Sequence, residues 1–166
     1  MTDLPVKLTH LDDQGRPRMV DVSEKEETRR KAVAVGAIRM ARDTLSAISQ
    51  GRSPKGDVLQ VARIAGIQAG KRSGDLIPLC HVLPAASLVV DLKEDSDLPG
   101  IRVRAEAVFQ GKTGVEMEAL TAVSVALLTV YDMVKAMDRG MVLEGIHLLS
   151  KEGGRSGGWV WKEGVR

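Results

Sequence analysis

The order of patterns along these 166 residues predicts an α+β domain: an antiparallel sheet with helices packed on one face. Three observations carry that expectation. Residues 101–110 alternate, with Ile101, Val103, Ala105, Ala107 and Phe109 set against Arg102, Arg104, Glu106 and Gln110. Such alternation marks a strand with one oily and one wet face. Residues 111–141 hold the longest uninterrupted helical pattern, in which Leu120, Val123, Leu127, Val130, Val134 and Met137 recur at three- and four-residue steps. The segments follow one another as β-α-α-β-β-α-β. With the first two helices taken as one elaborated crossover, this is the split-βαβ, ferredoxin-like plan.

In chain order, residues 1 to about 28 are polar and mixed and read as a flexible arm. Met19 to Val22 is a candidate short extended piece, and Ser23-x-x-Glu26 resembles a capping box with no apolar stripe behind it. Ala32 to Ile38 (AVAVGAI) is apolar and partly β-branched, a first strand. Met40, Ala41, Leu45 and Ile48 give helical spacing up to Gly51. After the loop GRSPKGD, in which Ser53-Pro54 prepares a helix start, residues 56–71 are apolar almost all round and predict a largely buried helix. Gly66 and Gly70 in that helix predict close approach by another backbone. The corner KRSGDLIPLCHVLP is punctuated by Pro78 and Pro84, which forbid a long regular element. Ala86, Leu88, Val90 and Leu92 then alternate with Ser87, Val89, Asp91 and Lys93 as the second strand, and residues 101–110 form the third.

For the long helix, Thr113 and Glu116 predict a capping box, Lys135 and Arg139 complement the last turn, and Gly140 provides a stop. Met141 to Leu149 reads as the last strand. The glycine-rich end, about residues 152–166, reads as a flexible tail. One domain is expected over 1–166. Val89 and Val108 place apolar surface on the uncovered sheet face, which fits an oligomer.

The totals exclude several function classes. One cysteine rules out an internal disulfide and any multi-cysteine metal site. No run is expected to be long enough and free enough of charge to span a bilayer. The first residues lack the apolar core of a signal peptide, so the expected compartment is the cytoplasm. A net charge of +2 and 2% aromatic residues argue against nucleic acid as partner, since single strands are gripped by stacking on aromatic platforms.

Charged residues beyond the needs of the fold are the candidates for chemistry. Asp132 and Lys135 are three apart and share a helix face, either as a surface ion pair or as an acid and base. Glu116 is explained by the capping box, whereas Glu118 lies further in and is explained less well. Cys80 and His81 sit in the Pro-flanked corner. Zinc lacks partners there, adjacent residues on extended chain point apart, and a buried cysteine beside a histidine suited to binding or proton transfer is the simpler reading. Lys55, Lys71, Arg72, Lys151 and Arg155 lie beside glycine or serine. They form either a solvated face or cations that close on phosphate. GKTG alone is not a phosphate loop.

Taken together, LIPLCH, KTGVEMEALTA, YDM-K and the LL-K-GG-SG ending, with MVDVS, KGDV and ARIAGIQAGKR, resemble the cyclic pyranopterin monophosphate synthase family. This is the second enzyme of molybdenum cofactor biosynthesis. The resemblance runs from about Leu8 to Gly157. Val82 departs from the family's usual proline after the histidine, and Arg155 stands where lysine is common.

The resemblance implies a lyase acting on 3′,8-cyclo-7,8-dihydroguanosine triphosphate, with cyclic pyranopterin monophosphate and pyrophosphate as products. It implies Asp132 as the catalytic acid/base residue, Lys135 as its partner and Lys55 as a further catalytic lysine. Leu79, Cys80, His81, Met117 and Glu118 fall on substrate-contact positions. Arg30, Glu116, Lys151 and Arg155 match positions around the pocket. It implies no metal ligands, no cofactor for the chemistry beyond Mg²⁺ accompanying the triphosphate, and a homohexamer built as a trimer of dimers.

One geometric expectation follows from the helix itself. Glu118 and Asp132 are fourteen residues apart, hence ~21 Å along one helix. A single nucleotide cannot easily touch both, which predicts a pocket shared between subunits. The competing reading from another class is a non-enzymatic nucleotide-binding oligomeric sensor, in which Asp132–Lys135 is a mere ion pair.

Overall fold

A computed structural model describes residues 14–19, 22, 24, 26–83, 86–154 and 157–163. Arg155 and much of the N-terminal arm, including Val20, Asp21 and Ser23, lie outside the described residues. The elements are β1 (Thr28–Arg39), α1 (Arg42–Ser49), α2 (Val58–Gly70), α3 (Ser73–Leu76), β2 (Ser87–Asp95), β3 (Gly100–Gly111), α4 (Glu116–Val134), β4 (Val142–Glu152) and β5 (Trp159–Val160). The strands form one sheet in the order β2-β3-β1-β4-β5, and every neighbouring pair is antiparallel. This is the α+β, ferredoxin-like architecture, with one added edge strand.

Position in the sheet follows from composition. The apolar run of β1 has buried residues on both faces: Ala32, Ala34 and Ile38 on one, Val33 and Ala37 on the other. Such a strand belongs at the centre, and β1 pairs with both β3 and β4. β3 keeps its predicted alternation. Ile101, Val103, Ala105 and Ala107 are fully buried beneath the helices, while Arg104 faces Asp91 and Arg102 faces Lys93 across the β2 register on the wet face.

α4 lies on the sheet beside α2. Ala119, Ala122, Val123, Ala126, Leu127, Val130 and Val134 are sealed from solvent. Gly66 and Gly70 allow the tight helix pairing that was expected of them. A Cβ on Gly66 would stand 2.8 Å from the Ala122 carbonyl oxygen, and one on Gly70 would stand 2.8 Å from that of Glu118.

Some expectations need correction. α4 is shorter than the apolar pattern suggested, and Met137 is exposed beyond its end. The capping box does not form: Val115 is the N-cap, with no side-chain bond, and Glu116 pairs instead with Lys151. A tertiary ion pair has taken the carboxylate that the local motif would have used. α2 begins close to its expected start, after Asp57, whose side chain accepts from Gln60 N at 3.0 Å. Contrary to expectation, however, it is not buried all round, because Val61 and Ile64 are exposed.

α4 is long and apolar enough to cross a bilayer by composition, contrary to expectation, yet it is the core helix of this domain. Within the segment read as a tail, Trp159 and Val160 pair with Lys151 and Ser150.

Past the C-terminus of α4, Asp138 ties the chain to α1. Its Oδ2 accepts from Ala41 N at 2.8 Å and from Thr44 Oγ1 at 3.4 Å, and its Oδ1 accepts from Gly140 N at 2.9 Å. α4 has already ended at Val134, so neither Gly140 nor Arg139 lies at its last turn as expected.

Candidate active site

α4 carries a candidate cluster at each end. At its N-terminal end a cavity of about 910 Å³ is walled by the corner residues Leu79, Cys80 and His81, by Glu116, Met117 and Glu118, and by Lys151 and Trp159. The corner turns sharply here. Leu79 holds φ at 62°, a left-handed conformation that costs a non-glycine residue energy and tends to persist where the surroundings over-determine it.

Glu118 is the unusual member. It is only 2% exposed, and the Ser73 hydroxyl donates to its Oε1 at 2.7 Å. Burial pushes its carboxyl above the usual range, the Ser73 bond opposes that, and the neighbouring Glu116 adds to the rise. Burial and the Glu118 charge likewise push the Cys80 thiol up. Cys80 is half-buried rather than the buried cysteine expected, and its raised thiol is the less reactive, protonated form. Glu116 pairs with Lys151, also on the cavity wall, with Nζ to Oε1 at 3.2 Å.

Arg30 lies on β1, not on the cavity wall. Its Nε donates to the Gly111 carbonyl at 3.3 Å, and its guanidinium packs where a side chain on Gly154 would have to sit. Glycine at 154 gives that cation its room.

At the other end, Asp132 stands between two lysines. Lys135 Nζ lies 2.7 Å from Oδ1, and Lys55 Nζ lies 2.7 Å from Oδ2 and 3.0 Å from the Asp132 carbonyl oxygen. The i,i+3 partner was visible in the spacing. Lys55 arrives from 77 positions away, on the loop before α2. All three side chains are about half exposed. The bond from Lys135, then that from Lys55, lowers the Asp132 carboxyl to about 2, and Asp132 in return raises Lys135.

The structure therefore brings the site residues together as two groups on one chain. Leu79, Cys80, His81, Glu116, Met117, Glu118 and Lys151 meet at one end of α4, and Lys55, Asp132 and Lys135 meet at the other. Ser73 and Trp159 are contributors that reading the sequence missed. Ser73 gave no signal apart from its place in the corner, whereas tryptophan in so aromatic-poor a chain was a usable one. Among the described residues, no three His, Cys, Asp or Glu side chains converge as a metal-binding group.

A sequence model of the MoaC family matches residues 19–154. The chain belongs to the MoaC family. Among MoaC relatives, the cyclic pyranopterin monophosphate synthase of Cereibacter sphaeroides is 59% identical over 150 residues, which cover 90% of this chain and 94% of the relative. The protein of the same name from Dinoroseobacter shibae is also 59% identical over 150 residues, covering 90% and 95%. That from Brucella ovis is 56% identical over 154 residues, covering 93% of each chain. All three carry an enzyme's name, and the sensor reading finds no support among these MoaC proteins.

Proposed function

We propose that this chain is a cyclic pyranopterin monophosphate synthase: a lyase that converts (8S)-3′,8-cyclo-7,8-dihydroguanosine 5′-triphosphate to cyclic pyranopterin monophosphate and pyrophosphate in molybdenum cofactor biosynthesis. The observation that carries the reading is the Lys55–Asp132–Lys135 cluster, held at hydrogen-bond distance within a chain 59% identical to relatives of that name.

The reaction opens a guanine-derived five-membered ring and rebuilds a pterin, so protons must move to and from nitrogen and oxygen repeatedly. Asp132 rests as an anion and Lys135 holds its proton tightly. In that state Lys135 is the donor. Asp132 becomes an effective acceptor once substrate draws a lysine away and its carboxyl rises toward the ordinary range. Lys55 supplies a second positive group on the same carboxylate.

The leaving pyrophosphate, expelled as a ribose-derived hydroxyl closes the cyclic phosphate, requires cations against developing charge. Lys151 on the cavity wall and Arg155 are assigned to it, with Arg30 on β1 outside that wall. Glu118, with Leu79, Cys80, His81, Met117 and Glu116, forms the wall that holds the heterocycle, and its carboxylate accepts from the N–H edge of the guanine-derived ring. No resident cofactor takes part, and Mg²⁺ arrives on the triphosphate rather than in a protein cage.

The pocket is completed by a second copy of the chain, which brings Asp132 of one subunit to Glu118 of another, within a hexamer arranged as a trimer of dimers. What supports this is the unbroken α4 between the two residues and the exposed Val61, Ile64 and Leu128 on the helical layer. The setting is cytoplasmic.

Incubating purified protein with the cyclised nucleotide tests the reading. Pyrophosphate and the cyclic monophosphate should appear together, and both should vanish in Asp132→Asn and Lys135→Ala. Turnover that survives both substitutions overturns the assignment.

A further inference from the structure

The segment between α2 and the Leu79–His81 corner touches both walls of the cavity through small residues, Gly70, Ser73 and Gly74. Gly70 lies against the backbone of α4, where an added Cβ would be 2.8 Å from the Glu118 carbonyl oxygen. Ser73, 2% exposed, donates to the Glu118 carboxylate at 2.7 Å. Gly74 lies against the corner, where a Cβ would meet the Val82 Cα at 3.0 Å and the His81 carbonyl oxygen at 3.2 Å. Five residues thus join the start of α4 to the substrate-facing corner, and the one hydroxyl among them points at the buried carboxylate.

We propose that Ser73 is a positioning residue: its hydroxyl fixes the orientation of Glu118 in the cavity wall and keeps that carboxylate presented to the substrate. This rests on the function proposed above.

A carboxylate this deeply buried needs a donor to remain both ordered and charged. Apart from Ser73, only its own backbone N–H favours the charged form of Glu118. Glu116, on the same helix, opposes it, and Lys151 on β4 is engaged by Glu116. Cys80 stands opposite as a thiol raised by burial and by Glu118 and lowered by a bond to Ser73, with His81 beside it on the corner. Lys71, Arg72 and Asp75, around Ser73 in sequence, are exposed to solvent. Removing the hydroxyl therefore shifts Glu118 toward its neutral form and frees its rotamer, while leaving Asp132 and its lysines untouched.

Two readouts test this together. The first is the pH profile of kcat/KM for wild type, Ser73→Ala, Ser73→Cys and Ser73→Thr. Ser73→Ala should lose roughly ten- to a hundredfold in kcat/KM, the scale of a hydrogen bond to a charged group, and its acid limb should move to higher pH. Ser73→Thr, which keeps the hydroxyl, should restore both. Ser73→Cys keeps the shape with a weaker donor and should fall between, which serves where Ser73→Ala does not fold.

The second is a ¹³C-glutamate NMR titration, with the Glu118 resonance assigned by its loss in Glu118→Gln. The Glu118 midpoint should rise in Ser73→Ala and Ser73→Cys and return in Ser73→Thr. A wild-type pH profile and an unmoved midpoint in Ser73→Cys overturn the proposal while the enzymatic reading stands. Should wild-type protein not turn over the nucleotide, the enzymatic reading falls, and the NMR midpoint alone decides whether Ser73 governs Glu118.

Discussion

Glu118 and Asp132 are the same chemistry at opposite ends of one helix, and the protein treats them in opposite ways. Glu118 is buried, faces a hydroxyl and a thiol, and is pushed above the carboxylate range. Asp132 is half exposed, sits between Lys135 and Lys55, and is lowered to about 2. Desolvation decides the first and charged partners decide the second. A carboxylate's place in the sequence therefore says little about its protonation; what surrounds it after folding says most.

The largest effect should come from the exposed end. Asp132→Asn keeps the shape and removes the charge that organises both lysines, and turnover should fall by about 10²–10⁴-fold, the usual scale of a lost acid–base group. Initial rates of pyrophosphate release measure it. A fall of less than tenfold would return the cluster to the status of a surface ion pair.

Mixing the two ends comes next. If each pocket takes Glu118 from one subunit and Asp132 from its neighbour, a dimer pairing Glu118→Gln with Asp132→Asn holds one doubly impaired and one intact site. Co-expressed, differently tagged variants should then regain about a quarter of wild-type activity, because half of randomly paired dimers are mixed and half of their sites are intact. No recovery in isolated mixed oligomers would place both residues in single-chain sites.

A smaller effect should appear in stability. The folded-state value of Glu118 lies above its unfolded one, so the native state binds its proton more tightly, and this group's contribution to stability declines as pH rises through that interval. Glu118→Gln removes the penalty. Its thermal midpoint should exceed that of wild type by a few degrees at pH 7, and the gain should shrink toward pH 4. A midpoint below wild type at neutral pH would show that the carboxylate is a structural asset.

The smallest effect belongs to Asp132 in acid. Its folded-state value is depressed, so its contribution is complete above the ordinary aspartate range and fades as pH falls through about 2. Wild type and Asp132→Asn should differ slightly in urea midpoint near neutrality and converge in strong acid. Screening at so exposed a site keeps the difference small.

Much of this arrangement was legible before folding. The alternation of residues 101–110 and the apolar run of β1 marked strands of an antiparallel sheet correctly, because strand periodicity is a property of the backbone. Gly66 and Gly70 announced the close pairing of α2 with α4, and Asp132–Lys135 was visible as one turn of helix. The Thr113–Glu116 cap was misread because a local motif competes with partners that local sequence does not show, here Lys151 on β4. Lys55 beside Asp132, Ser73 beneath Glu118 and Trp159 on the cavity wall had no periodic signal at all, since each depends on contacts between distant segments.

Composition and spacing thus account for the α+β plan, the strands, the long helix and the motifs that mark the MoaC family. These follow from backbone periods and from residue types that act over a few positions. Burial of Glu118 against Ser73, capture of Asp132 by Lys55 and separation of the two clusters to opposite ends of α4 came only with the tertiary structure. Protonation and proximity are set by which surfaces fold onto one another, and no short stretch of chain contains that information.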